Sequence, residues 1–451
     1  MKKIVYNINL FLLFVALISC NFSIASENTK KNYSGIQSSS FSSFNYEKKF
    51  LTEEIYSDFI KDHIFVQPEF KYASAIQNEK NLLLRSANRE RFPSISGRVI
   101  NDEVLDRKVN DFNSIRKRQD DSFDAVAEIN QAIYSGGRIN SQIRYAKHES
   151  NNSIIEKNFT TSRLIMEANS TFISAMIYDY IYRYSLNLIN ELLPLKDKME
   201  KRVKSGAIDP AQHAVFLARL NKFQSSIYNL EARAKTTQAN YENTFNKKFI
   251  FQGFPRIPIL INDNIQLKES FNLSLKENKY LSSLETIKIT KSDYRPQFGI
   301  RARYTEYDID KSEDDSDIRG GLYLTMPLFD FGRGRAKIQA SEARAYAAKV
   351  DIDVERKGNK VTENEIIAII ESSVKAIDKL KEAFKDTKIQ RKIIRERILL
   401  TGFSPMSLVE TAESELSQLQ ILLETENLLI INFYELLHHN QLLINHFKLA
   451  L

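Results

Sequence analysis

The chain has 451 residues, 43% of them hydrophobic and 27% charged, with a formal net charge of +7. Its single Cys excludes an internal disulfide and any cysteine-rich metal site. Acidic and basic residues interleave along most of the chain, which argues against a concentrated nucleic-acid surface, and the low Gly (13) and Pro (9) counts leave room for long unbroken helices.

The N-terminus reads as an export signal. Lys2 and Lys3 precede an apolar stretch from Leu10 to Ile18, a basic n-region followed by an h-region, predicting a signal peptide over residues 1–25. Two cleavage sites compete. Ser23-Ile24-Ala25 is a small-x-small site, whereas Leu17-Ile18-Ser19-Cys20 resembles a lipobox that would make Cys20 a lipidated terminus. Either site predicts an exported mature chain. No later stretch reaches the ~20 apolar residues of a membrane helix. Any membrane entry must therefore use strands. Residues 26–52, rich in Ser, Asn and Lys, read as a flexible lead-in.

From there the chain repeats once, as residues 53–260 and 261–451. Gly136-Gly137-Arg138 recurs as Phe331-Gly332-Arg333, and Gly206-Ala207-Ile208-Asp209-Pro210 as Gly402-Phe403-Ser404-Pro405. Both pairs sit about 195 residues apart. Each half predicts a first helix, near 68–91 and 267–293, ended by Pro93 or Pro296. Two strand-like runs follow. In Phe123 to Asn130, Phe123, Ala125, Ala127 and Ile129 alternate with mostly polar residues. In Phe298 to Tyr304, Arg301 and Arg303 share the face opposite Ile300 and Ala302, and Leu322, Leu324 and Met326 share a face. Period-two alternation sets one face in an apolar medium and the other in water. A half-buried sheet in a soluble protein would show the same pattern.

Long helices come next, at about 138–205 and 335–401, each on the order of 100 Å. After each turn the apolar residues step by threes and fours, the coiled-coil period: Phe216, Leu220, Phe223, Ile227, Leu230, Ala234, and Val409, Ala412, Leu416, Leu419, Leu423, with Glu426 interrupting. Pro194 should kink the first long helix. Gly206 and Gly402 suit the left-handed residue after a helix end. Asp209 and Ser404 are N-caps ahead of Pro210 and Pro405. Each half thus predicts a long antiparallel helical hairpin.

The duplicated order of strand pair, Gly-Gly-Arg elbow, long helix, Gly turn and capped helix resembles the TolC-type outer-membrane factors. So does the run Leu322-Tyr323-Leu324-Thr325-Met326-Pro327-Leu328-Phe329-Asp330-Phe331-Gly332, and Ser407-Leu408-Val409-Glu410 is similar to the family's acidic segment after the second tip. The resemblance spans residues 53–445. It implies a mainly α chain with a small β part. Four strands per protomer would join a homotrimeric twelve-stranded outer-membrane β-barrel, and the helices would form an α-barrel tunnel extending into the periplasm. It implies passive conduction for type I secretion or multidrug efflux, beside a periplasmic adaptor and an inner-membrane ABC or RND-type pump. Outer-membrane lipid would be a partner; nucleic acid and cofactors would not. The tips would hold Gly206, Asp209, Gly402, Ser404, Ser407 and Glu410. Of these, Glu410 carries over as an acidic gate residue, against the alternative of a solvated helix face. The strand–helix elbows would hold Gly137, Arg138, Gly332 and Arg333, with the arginines snorkelling or touching lipid head groups. Tyr134, Phe329 and Phe331 would form an interfacial girdle or pack beneath the elbows. A lipidated Cys20 would favour efflux, whereas the Arg202–Gly206 tip and the imperfect lipobox lean towards secretion.

Other patterns carry less. Asp308 to Asp314 imitates a calcium loop, but Glu313 replaces its Gly and Arg319 its bidentate Glu, so a solvated loop is expected there and at Arg116-Lys117-Arg118. His438, His439 and His446 lack acidic or Cys partners at ligand spacing. No nucleophile–base constellation, phosphate loop or nucleotide signature suggests an enzyme. A soluble periplasmic coiled-coil adaptor or scaffold explains the helices and the signal, but not the duplicated strands.

Overall fold

The two halves of the chain run through the same sequence of elements. The computed structural model describes residues 50–103, 121–255, 269–310, 315–397 and 405–449, all within one contact unit. Strand β1 (Phe50–Leu51) leads to helices α1 (Glu53–Val66) and α2 (Pro68–Arg89), then strands β2 (Ser94–Glu103) and β3 (Asp121–Tyr134), and helices α3 (Arg138–Lys204) and α4 (Pro210–Phe245). Strand β4 (Phe254–Pro255) precedes the second pass: α5 (Phe271–Ser292), β5 (Gln297–Tyr307), β6 (Asp315–Thr325), α6 (Arg333–Arg397), α7 (Pro405–His439) and the short α8 (Leu443–His446).

Helix α1 was not anticipated. Thr52 caps it, its hydroxyl accepting from the Ile55 N–H at 3.5 Å, and Gln67, extended ahead of Pro68, separates it from α2. The expected lead-in to residue 52 ends in β1, which pairs in parallel with β4. The signal segment and Cys20 lie outside the described residues.

The long helices α3 and α6 have 67 and 65 residues, on the order of 100 Å each at 1.5 Å per residue. Helix α3 continues through Pro194 to Lys204. It packs on α4, α5 and α7, so the two hairpins lie against each other, while α6 packs on α5 and α7. The heptad stripe of α4 is buried from Phe216 to Ala234, and that of α7 from Val409 to Leu423. Each fully buried Leu, Ile or Phe contributes about 1.5–3 kcal/mol, so these stripes hold the hairpins together. Glu426 lies in the buried stripe of α7 and does not interrupt it. His438 is structural: its Nδ1 lies 2.7 Å from the Ser162 hydroxyl, and its ring packs between Phe159 and Phe271.

The strands form one antiparallel four-stranded sheet in the order β2-β3-β5-β6. The β3–β5 pairing joins the two repeats at its centre. Strands β2 and β6 end the sheet, which does not close on itself.

Candidate functional site

The register sorts the sheet's side chains by face, because directly opposed residues of antiparallel strands point the same way. Ile95, Ile129, Ala302 and Gly320 form one row, Gly97, Ala127, Tyr304 and Ile318 the next. Ile300 and Leu322 extend the same face, as do Phe298 and Leu324. On the opposite face Ser94, Asn130 and Arg301 share a row, as do Ser96, Glu128, Arg303 and Arg319. One face is thus apolar and the other charged.

The apolar face is bare. Ile95, Ile318, Leu322 and Leu324 are 76%, 80%, 81% and 70% exposed. A bare apolar sheet face of this composition marks a surface covered by a membrane or by another protein. The strands have 10, 14, 11 and 11 residues, each reaching the ~9–11 residues with which a tilted strand crosses a bilayer, and β3 exceeding it. Among the described residues no helix is long and apolar enough to cross one.

At one end of the sheet the strands turn into the long helices through two elbows of unequal construction. In the first, Gly136 and Gly137 adopt φ of 65° and 93°, and the Ser135 hydroxyl accepts from the Ile139 N–H at 3.2 Å. A Cβ on Gly136 would lie 2.9 Å from both Arg295 Cβ and the Ser292 carbonyl. Arg295 also donates to the Gly136 carbonyl at 3.3 Å. In the second, the Asp330 carboxylate accepts from the N–H groups of Gly332 (3.1 Å) and Gly334 (2.5 Å), and the Tyr294 ring occupies the space a Gly334 Cβ would need. Sequence reasoning singled out Gly137, Arg138, Gly332 and Arg333 but missed Asp330, Gly334 and the Tyr294-Arg295 buttress. Asp330, two residues ahead of Gly332, was the available capping signal. Arg138 is half-buried, whereas Arg333 and Arg335 are exposed. Leu328, Phe329 and Phe331 stand out at the second elbow, with Phe329 and Phe331 edge to face at 4.6 Å. They do not pack beneath it. Tyr134 stacks on Phe298 at 5.6 Å.

The far ends of the helices form the tips. In the α3–α4 turn Gly206 has φ of 70°, its N–H donates to the Val203 carbonyl, and the Ala207 N–H donates to Arg202 at 2.9 Å. This bond pair is the Schellman closure, which satisfies two end carbonyls. Asp209 Oδ1 accepts from the Ala211 N–H at 2.9 Å, with Pro210 opening α4. Gly402 and Ser404 lie outside the described residues. In the first turn of α7, the Ser407 carbonyl accepts from the Thr411 hydroxyl at 2.9 Å. Glu410 is exposed and forms an ion pair with Arg219 of α4. With both partners this open, such a pair contributes at most about 1 kcal/mol.

Above the tips lies a charge cluster that the sequence did not disclose. Arg391 of α6 donates to Glu415 of α7 and to Glu191 of α3, each at 2.5 Å, and Arg395 reaches Glu191 at 3.2 Å. Tyr184 donates to the same Glu415 carboxylate. Burial opposes the charge on Arg391, but Glu415 and Glu191 outweigh it and raise its pKa. Burial, reinforced by Glu415, raises that of Tyr184.

The glycines give a graded prediction. Gly206→Ala meets open space and should cost only the left-handed backbone penalty, about 1–2 kcal/mol. Gly136→Ala adds two close contacts to the same penalty and should lower the thermal midpoint substantially further.

No protein-family model matches the chain, and no curated protein sequence does. Solved structures do match it. The CmeC outer-membrane channel of Campylobacter jejuni superposes with a TM-score of 0.75 at 13% identity, covering 94% of this chain and 94% of that one. This chain thus shares the fold of an outer-membrane channel. The MtrE outer-membrane channel of Neisseria gonorrhoeae, in its open state, gives a TM-score of 0.70 at 10% identity over 94% of this chain and 99% of that one. The outer-membrane protein VceC of Vibrio cholerae gives 0.70 at 12% over 86% and 95%. In this outer-membrane-channel fold the bare sheet face and the paired hairpins belong to one architecture.

Proposed function

We propose that three copies of this chain form an outer-membrane channel whose strands complete a twelve-stranded barrel and whose helices extend as a tunnel into the periplasm. The observation that carries this reading is the four-stranded sheet itself. It has membrane-length strands, one bare apolar face, one charged face and two open edges. Hydrocarbon does not tolerate open edges, so closure needs neighbouring copies. Exposed Tyr346, Val350 and Val354, stepping by four along α6, supply an apolar seam of the kind such neighbours would cover.

The activity is passive conduction, driven by an inner-membrane ABC or RND-type pump through a periplasmic adaptor at the helical tips. The cargo route is type I secretion or multidrug efflux, with the basic Arg202–Gly206 tip favouring secretion. Cys20 remains a lipidation candidate, and Arg138 and Arg333 are assigned to the periplasmic membrane interface. The decisive experiment is extraction of the mature protein from membranes. It should require detergent and run as a stable trimer; a water-soluble monomer overturns the reading.

Glu410 is assigned to the closed constriction. Glu410→Gln frees Arg219 and should raise the conductance of the trimer in a planar bilayer. Unchanged conductance removes Glu410 from the gate.

A further inference from the structure

We infer that the charged face of the sheet carries an arginine belt that gives the barrel lumen a preference for small anions. The inference rests on the channel reading, which makes this face the lumen wall.

Three successive rows contain the belt. Arg301 lies in register with Ser94, Asn130 and Gly321; Arg303 with Ser96, Glu128 and Arg319; and Arg98 with Val126, Thr305 and Asp317. Four guanidinium groups therefore share these rows with two carboxylates. Arg301 and Arg303 both pair with Glu128, at 3.2 and 3.1 Å. The side chains of Arg301 and Arg303 are 47% and 41% exposed, against 22% for Glu128. The carboxylate thus sits behind the arginines, and one positive charge of the trio is left facing outwards.

Arg301 and Arg319 are also held in place. The Arg301 guanidinium lies 5.3 Å from the centre of the Tyr323 ring, and the Tyr323 hydroxyl donates to Asn130 at 3.1 Å. Gly299 makes room for that ring, since a Cβ there would lie 2.6 Å from the Tyr323 hydroxyl. Gly321, opposite Arg301, leaves the guanidinium uncovered on that side. On the next row Arg319 is anchored to Asp317 at 2.7 Å.

Charge is sorted along the strands. Asp102, Asp124 and Asp315 belong to the same face but lie beyond the belt, towards the strand ends remote from the elbows. Rows two residues apart are separated by about 7 Å, so the Arg301 row lies some 20 Å from the acidic end. That exceeds the ~8 Å screening length at physiological salt, so the acidic end does not cancel the field at the Arg301 row, whereas the Arg98 row, about 7 Å from Asp124 and Asp315, is largely balanced by them. Three copies closing a barrel would set the same excess around one ring, where charge-lined walls concentrate counter-ions.

The test uses the mature trimer in planar bilayers under a potassium chloride gradient. The double variant R301Q/R303Q should shift the reversal potential towards potassium, lowering the chloride-to-potassium permeability ratio about threefold, a modest part of what charge-lined clefts achieve. Glu128→Gln, which removes only the carboxylate, should shift it the other way. R301K/R303K, which keeps the charge, should stay near the parent value. Conducting trimers whose reversal potential is unmoved by both R301Q/R303Q and Glu128→Gln overturn the belt while leaving the channel intact. A chain that forms no trimers and no conducting events overturns the channel reading, and the belt with it.

Discussion

Leu322→Arg is expected to abolish recovery of the chain as a membrane-embedded trimer. Leu322 is 81% exposed on the apolar face of the sheet. In water, a charge at so open a position would change stability by no more than about 0.5 kcal/mol. Facing lipid near mid-bilayer, Arg costs about 2–4 kcal/mol per copy, and a trimer carries that cost three times over. The same substitution is therefore nearly silent in a soluble scaffold and severe in a barrel. Ser96→Lys, on the charged face of β2, is the matched control and should assemble normally. Membrane fractionation with trimer detection on gels reads both. A Leu322→Arg protein that assembles like its parent would remove the lipid contact from this face.

Arg391→Met is expected to produce the largest loss of stability in the helical part. The Arg391 side chain is 12% exposed and that of Glu415 is fully buried. Removing the cation leaves the carboxylate without its charge partner in the interface between hairpins, which typically costs about 3–5 kcal/mol. Glu191, more exposed at 31%, turns to solvent more cheaply. The double variant Arg391→Met/Glu415→Gln should recover most of the loss, because it removes the stranded charge along with its partner. Thermal dissociation of the detergent-solubilised trimer measures the cycle. An equal loss in the single and double variants would show that packing, not charge, dominates there.

The helical hairpins were legible because their information is local. Heptad spacing marked the buried stripes of α4 and α7, and the Gly206-to-Pro210 string specified a helix end, a cap and a restart. The faces of β5 were legible for the same reason, since alternation needs only neighbours in sequence. Helix α1 was not, because its boundary with α2 is one extended residue ahead of Pro68, and two helices in a row gave no change of period. Glu426 seemed to break a stripe because a charge reads as solvent-facing until its burial is seen. The Glu191–Arg391–Glu415 cluster was beyond reach. Its members lie on three helices and join residues 200 positions apart, and nothing local distinguishes them from the many surface charges around them. The same holds for Tyr294 and Arg295, whose role is visible only once Gly136 and Gly334 are beside them.

That last pairing has a mechanical consequence. Arg295 is wedged against Gly136, and Tyr294 against Gly334, so one dipeptide at the foot of β5 keys both corners at once. These two side chains tie the elbows together in addition to the β3–β5 pairing and the packing of α3 on α5 and α7. In the channel proposed above, the duplicated halves would be geared together at this joint, and a torque on either hairpin would reach both pairs of strands at once.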